Sequence, residues 1–138
     1  VSQRWRETWD DFTLWLGLRG FVAEVPFPGL SGKRRYRWDY ARPDLKLAIE
    51  YDGRGVGHQG IAGAWRDAEK SNEAALCGWT LIRCNAATVT DGRCQAWIET
   101  ALGFARGEGV CDAQEAAASA RTGKTRVRGH NGPSDALE

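Results

Sequence analysis

Residues 34–52 read R-R-Y-R-W-D-Y-A-R-P-D-L-K-L-A-I-E-Y-D, two alternating runs joined by a short proline-containing link. In the first run Tyr36, Trp38 and Tyr40 oppose Arg35, Arg37 and Asp39. In the second, Leu45, Leu47, Ile49 and Tyr51 oppose Lys46, Ala48, Glu50 and Asp52. Successive side chains leave a strand on opposite sides, so a two-residue period predicts half-buried strands. If the runs pair across a link at residues 41–45 with their apolar faces together, the other face collects Asp39, Glu50, Asp52 and Lys46. Three carboxylates on one face are costly unless a cation or a substrate uses them.

Around this unit the chain carries the periodicities of a mixed fold. Residues 3–18 set Trp5, Trp9, Phe12 and Leu16 at helical spacing, widened by Leu14 and Trp15, and predict an amphipathic helix. Residues 21–27 predict a strand that Pro26 sends to a sheet edge or strand end, and residues 28–32 a turn. Residues 62–77 predict a second helix with Trp65, Ala68, Asn72, Ala75 and Leu76 facing inward, stopped at Gly78. A short apolar strand is expected at residues 79–85. Thr88-Val89-Thr90-Asp91 then offers capping chemistry for a third helix, in which Cys94, Trp97, Ile98, Ala101, Leu102 and Ala105 keep the i, i+3, i+4 pattern. The order is helix, three strands, helix, strand, helix.

A chain of 138 residues suffices for one domain with a real core, and 42% hydrophobic with 27% charged residues is ordinary for a soluble protein. The expected folded domain is residues 1–110. Beyond it, residues 111–138 are expected to hold an Ala-rich helical piece at 113–120 and a disordered basic tail. A formal net charge of +1 announces no nucleic-acid partner. The distribution says more: Lys33, Arg34, Arg35, Arg37, Arg42 and Lys46 lie close together, with only Asp39 and Asp44 against them. The four cysteines, Cys77, Cys84, Cys94 and Cys111, show no C-x-x-C spacing. They are expected to be small, reduced, buried residues rather than a zinc site or a disulfide framework. No segment reads as a signal peptide or a membrane span, which predicts a cytoplasmic chain. Residues 53–63 are glycine-rich but match neither G-x-x-x-x-G-K-[ST] nor G-x-G-x-x-G, so no nucleotide cofactor is expected.

The order of elements, with an acid on one central strand and a second acid on the next, resembles the PD-(D/E)xK nuclease superfamily, the restriction-endonuclease-like enzymes. Trp38-Asp39-Tyr40-Ala41, Leu47-Ala48-Ile49-Glu50-Tyr51-Asp52-Gly53 and His58 are similar to a compact branch of it. So is the run Asp67-x-x-Lys70-x-Asn72-x-x-Ala75-Leu76-x-Gly78-Trp79-x-Leu81-Ile82-Arg83. That branch holds phage-type Holliday-junction resolvase-like endonucleases and relatives of the very-short-patch repair endonucleases. The resemblance spans residues 34–85. It implies an αβββαβ core with a mixed four-stranded sheet flanked by helices, an extra C-terminal helix, and a Mg²⁺-dependent DNA phosphodiesterase in which Mn²⁺ substitutes. Asp39 takes the place of the first acid and Glu50 that of the second. The chain departs at the lysine, because Asp52 stands where E-x-K would put it. Lys70 on the following helix and Lys46 beside Glu50 are the two candidates, with Lys70 preferred. Members that draw an acid from the first helix make Asp10 and Glu7 further candidates.

The chemistry asks for these residue types. Attack on a phosphodiester brings negative charge to an anion, and a hard divalent cation offsets both while activating water. Carboxylates such as Asp39 and Glu50, with the Ile49 carbonyl as a further ligand, suit Mg²⁺. A lysine orients water and offsets developing charge. Asp52 would hold a second metal or steady the lysine, and His58 would contact phosphate or move a proton. Lys33, Arg34, Arg35 and Arg37, interleaved with Tyr36, suit DNA phosphates. Each has a plain competitor: solvated cross-strand pairs, a turn acid at Asp52, a solvent-facing His58, and a surface Asp67–Lys70 ion pair. The expected activity is cleavage of branched DNA by a homodimer in the cytoplasm, or in the host cytoplasm for a phage-encoded chain. A nicking enzyme on mismatched or ordinary duplex, and a decayed DNA-binding module, are the alternatives.

Overall fold

The computed structural model describes residues 3–53 and 60–108, with Trp5 as backbone only. His58, Cys111, the Ala-rich piece and the basic tail lie outside the described residues. The elements run α1 (Gln3–Leu18), β1 (Val22–Phe27), β2 (Tyr36–Arg42), a 3-10 turn (Pro43–Leu45), β3 (Leu47–Tyr51), α2 (Gly60–Leu76), β4 (Thr80–Cys84), α3 (Ala86–Thr90) and α4 (Arg93–Ala105). The sheet order is β1-β2-β3-β4, antiparallel between the first three strands and parallel between β3 and β4. Short links allow the antiparallel meander, whereas the parallel pair needs a crossover, which α2 provides. Pro26 sits on the edge strand, where its missing N–H costs no ladder bond. Pro43 opens the 3-10 turn, and Lys46 closes it in left-handed backbone, φ 48°, donating its N–H to the Pro43 carbonyl at 3.2 Å.

Both faces of the sheet are covered, which changes the half-buried picture of the strands. On one face Leu47 and Ile49 pack with Phe12, Leu16, Phe21, Ile98 and Leu102 from α1, the link that follows it, and α4. On the other, Ala48 packs with Phe27, Trp38 and Ala74 beneath α2, and Phe27 stacks on Trp38 with ring centroids 4.9 Å apart. Tyr36, Trp38 and Tyr40 do not share a face: Tyr36 and Trp38 belong to the α2 side and Tyr40 to the α1 side. The alternation slips at Asp39, opposite which Glu24 takes left-handed backbone (φ 54°) and leaves the ladder between Ala23↔Tyr40 and Val25↔Trp38. Such a local break re-aims side chains.

Four further expectations are corrected. The inward face of α2 is not Trp65, Ala68, Asn72, Ala75 and Leu76, all of which are exposed, but Asp67, Lys70, Ser71 and Ala74. The strands beneath α2 offer Glu50 and Arg83, so charged groups on α2 turn in to meet them. Of the expected capping stretch, Thr88, Val89 and Thr90 belong to α3, which Asn85 caps by accepting the Thr88 N–H at 3.0 Å while Thr88 Oγ1 accepts the Asn85 N–H; Asp91 does serve the last helix, accepting the Arg93 N–H at 3.0 Å. Gly92 then starts α4, on which Cys94, Ile98 and Leu102 are buried while Trp97 and Ala105 are exposed. Cys84 and Cys94 are not reduced thiols but a disulfide, Cα–Cα 5.9 Å, where the end of β4 meets the start of α4; Cys77 is free. On α1, Leu14 is exposed, so the buried stripe is narrower than expected. No helix among the described residues is long and apolar enough to cross a membrane.

Candidate active site

The cleft lies on the α2 face at the end of β3, lined by Trp38, Asp39, Glu50, Tyr51, Asp52, Asp67, Lys70, Ser71, Leu81 and Arg83. Glu50 is the fourth residue of β3 and points to the face opposite Ile49, under α2. Lys70 comes down from α2 onto it. Its ammonium bonds the Glu50 carboxylate and the Arg37 carbonyl, and lies 4.4 Å from the centre of the Trp38 ring. Both side chains of this pair are about five-sixths buried (16% and 17% exposed). Asp39, on the neighbouring strand, accepts the Tyr51 N–H at 2.7 Å, which fixes its carboxylate beside Glu50. Burial pushes the Glu50 carboxyl up to about 7; the bond and charge of Lys70 oppose that rise, and the Asp39 carboxylate adds to it.

A second ion pair closes the mouth. Arg83 of β4 grips Asp52 through two bonds, Nε to Oδ2 at 3.0 Å and Nη2 to Oδ1 at 2.9 Å, and approaches Asp67 at 3.5 Å. Asp52 therefore faces an arginine rather than a lysine. Arg83 closes the run that carries the family resemblance but is not among the expected site residues, although an arginine inside a short apolar strand is the available signal. In register it sits directly across from Glu50. Gly53 lies two residues past the end of β3, where a Cβ would come within 2.3 Å of the Tyr51 ring, so a larger residue there would have to displace that ring.

The remaining candidates are placed elsewhere. Lys46 precedes β3 at the end away from Glu50 and donates to the Cys77 carbonyl at 2.9 Å. Asp10 and Glu7 are exposed on α1, and among the described residues none from α1 lines the cleft. The Ile49 side chain belongs to the opposite core, and its peptide lies between β2 and β4 within the sheet. Lys33, Arg34, Arg35 and Arg37 are exposed along the approach to β2, with Arg34 3.5 Å from Glu69.

Among the described residues no three His, Cys, Asp or Glu side chains gather as a metal-holding group. Of the four carboxylates that line the cleft, Asp52 and Asp67 face Arg83, which leaves Asp39 and Glu50 as the adjacent pair. Two carboxylates fit Mg²⁺, which keeps much of its water and takes few protein ligands, and they do not resemble a zinc site. Comparison with protein-family models, with curated proteins and with solved structures returned no match.

Proposed function

We propose that this chain is a metal-dependent DNA endonuclease with a restriction-endonuclease-like core, cutting branched DNA. The observation that carries the reading is the meeting of Asp39, Glu50 and Lys70 in one cleft. Two acids on adjacent strands and a lysine make the set that phosphodiester hydrolysis asks for, although E-x-K is broken in sequence. The lysine arrives from the helix instead, and the vacated position, Asp52, anchors an arginine.

In this reading Asp39 and Glu50 would hold Mg²⁺, which when bound supplies charge neutralisation and acidifies water. Lys70 sits where an ammonium offsets charge on a transferring phosphoryl group and orients water beside Glu50. Arg83, aimed by Asp52, offers a guanidinium at the mouth that matches a phosphate in two-point contact. The exposed Lys33–Arg37 run leads to the same place, because the Arg37 carbonyl itself touches Lys70. Such a run contacts backbone phosphates without reading bases.

The test is incubation with Mg²⁺ or Mn²⁺ and a labelled four-way junction beside the matching linear duplex. Paired nicks in the junction alone support the reading. Cleavage of duplex moves the substrate to ordinary or mismatched DNA, and binding without cleavage in either metal makes the chain a binding module. Asp39→Asn or Glu50→Gln is expected to lower the cleavage rate by on the order of 10²–10³-fold with DNA affinity retained. Full activity in either variant would remove the assignment.

A further inference from the structure

α2 is amphipathic the wrong way round for a monomer. Its inner face carries Asp67, Lys70 and Ser71 into the cleft, while Ile61, Trp65 and Leu76 are 80%, 68% and 73% exposed. With 3.6 residues per turn, positions 61, 64, 65, 68, 72 and 76 form one stripe about a third of the helix wide. Every residue on it is apolar except Asn72. Scattered exposed hydrophobics are unremarkable, but a continuous stripe including a tryptophan marks a surface meant to be covered.

We propose that this stripe is covered by α2 of a second copy of the chain, packed antiparallel about a two-fold axis at Ala68. The pattern is self-complementary in that arrangement and in no parallel one. Ala68 meets itself, so the helices approach closely at the centre. Ile61 meets the Ala75–Leu76 end of the other helix, and Trp65 lies between Ala68 and Asn72 of the other helix. The largest residue, Trp65, thus meets small side chains near the centre, and the two large ends, Ile61 and Leu76, meet each other. The flank repeats the match in charge. Antiparallel pairing about residue 68 sets Arg66 opposite Glu69 of the other copy, twice. Arg66 makes no ion pair among the described residues, and Glu69 has only an exposed contact of 3.5 Å with Arg34. Isologous pairing of this kind is the commonest way a chain covers an apolar face. It leaves both clefts open on the inner sides of the paired helices.

The proposal rests on exposure and pattern, not on the nuclease reading, so its test is separate. Sedimentation or light scattering of the full chain should give twice the 15.2 kDa protomer mass. Trp65→Glu should return it to 15.2 kDa with unchanged far-UV circular dichroism, while Leu18→Glu, on α1, leaves the dimer intact. Arg66→Glu and Glu69→Arg should each weaken association at low salt, and the two together should restore it, which also guards against a misfolded Trp65 variant. A wild-type monomer overturns the proposal, and so does a dimer that survives Trp65→Glu or shows no rescue by the charge exchange. Binding of the monomer to lipid vesicles or to another protein in place of self-association would overturn it equally.

Discussion

On the face covered by α1, α3 and α4, the buried side chains are apolar apart from Thr88, and they interlock around Leu16, Ile49, Ile98 and Leu102. On the α2 face an aromatic half, Phe27, Trp38 and Trp79, gives way within one strand length to Glu50, Lys70, Asp39, Asp52 and Arg83. The first face holds the fold together by removing apolar area from water. The second carries a largely buried ion pair, whose desolvation cost cancels much of its attraction, so it contributes little net stability. Both faces bury apolar residues, but only the α2 face combines them with the candidate chemistry, and that difference makes expectations that differ in size.

The largest contrast lies between Ile98→Ala and Glu50→Gln. Ile98 is fully buried on the apolar side, and its truncation is expected to cost about 2–5 kcal/mol in urea unfolding with cleavage per folded molecule unchanged. Glu50→Gln is expected to cost less than Ile98→Ala in the same measurement. With its carboxyl pushed up to about 7, Glu50 is already half protonated at neutral pH, and glutamine keeps an oxygen for Lys70. If Glu50→Gln destabilises as much as Ile98→Ala, the contrast between the two faces is wrong.

A smaller effect tests the apolar face alone. The Cys84–Cys94 disulfide closes a loop with a sequence separation of 10, for which chain-entropy arguments give about 2–3 kcal/mol. Reductant should lower the urea midpoint accordingly while leaving the cleft's titration untouched. An unchanged midpoint would mean that the two cysteines are ordinary buried thiols, as their spacing alone suggested.

The contrast also explains what the sequence made legible. Where a helix covers an apolar sheet face, its apolar stripe is its inner face: α1 runs over the expected residues, with Phe12 and Leu16 inside, and α4 buries Cys94, Ile98 and Leu102. The same rule inverted α2, because periodicity locates an apolar face without saying what covers it. There the inner surface was set by Glu50 and Arg83 on the strands below. Glu50 and Asp52 could be put on one side from strand alternation, since two-residue spacing fixes sides, whereas Asp39 shares the cleft with its neighbour Trp38 through the slip in β2. Partners from other elements could not: Lys70 meets Glu50 from 20 residues away and Arg83 meets Asp52 from 31. The slip at Asp39 was hidden as well, because its cause is the backbone of Glu24 on another strand. The order of helices and strands was readable from periodicity, and the mixed sheet flanked by helices was what the family resemblance implied; the disulfide was not legible, since spacing says nothing of how β4 and α4 meet.

The smallest and most direct expectation is the titration of Glu50 itself, followed by side-chain carboxyl NMR. An ordinary glutamate releases its proton near 4.5, and this one near about 7. Between those values the folded chain holds a proton that the unfolded chain has lost, so this group's contribution to stability falls as pH rises from about 4.5 to about 7 and is flat above. Asp39→Asn removes a charge that pushes the value up, so it should lower the midpoint and shorten that window. Lys70→Ala removes the bond and charge that hold it down, so it should raise the midpoint and lengthen the window. Mg²⁺ added without DNA should lower the wild-type midpoint, since a cation held by Asp39 and Glu50 favours the ionised form, and should leave the Asp39→Asn midpoint nearly unmoved. A wild-type Glu50 that titrates near 4.5 would mean that it is solvated rather than buried under α2. A normal shift with no response to Mg²⁺ would keep the buried pair and remove the metal from it.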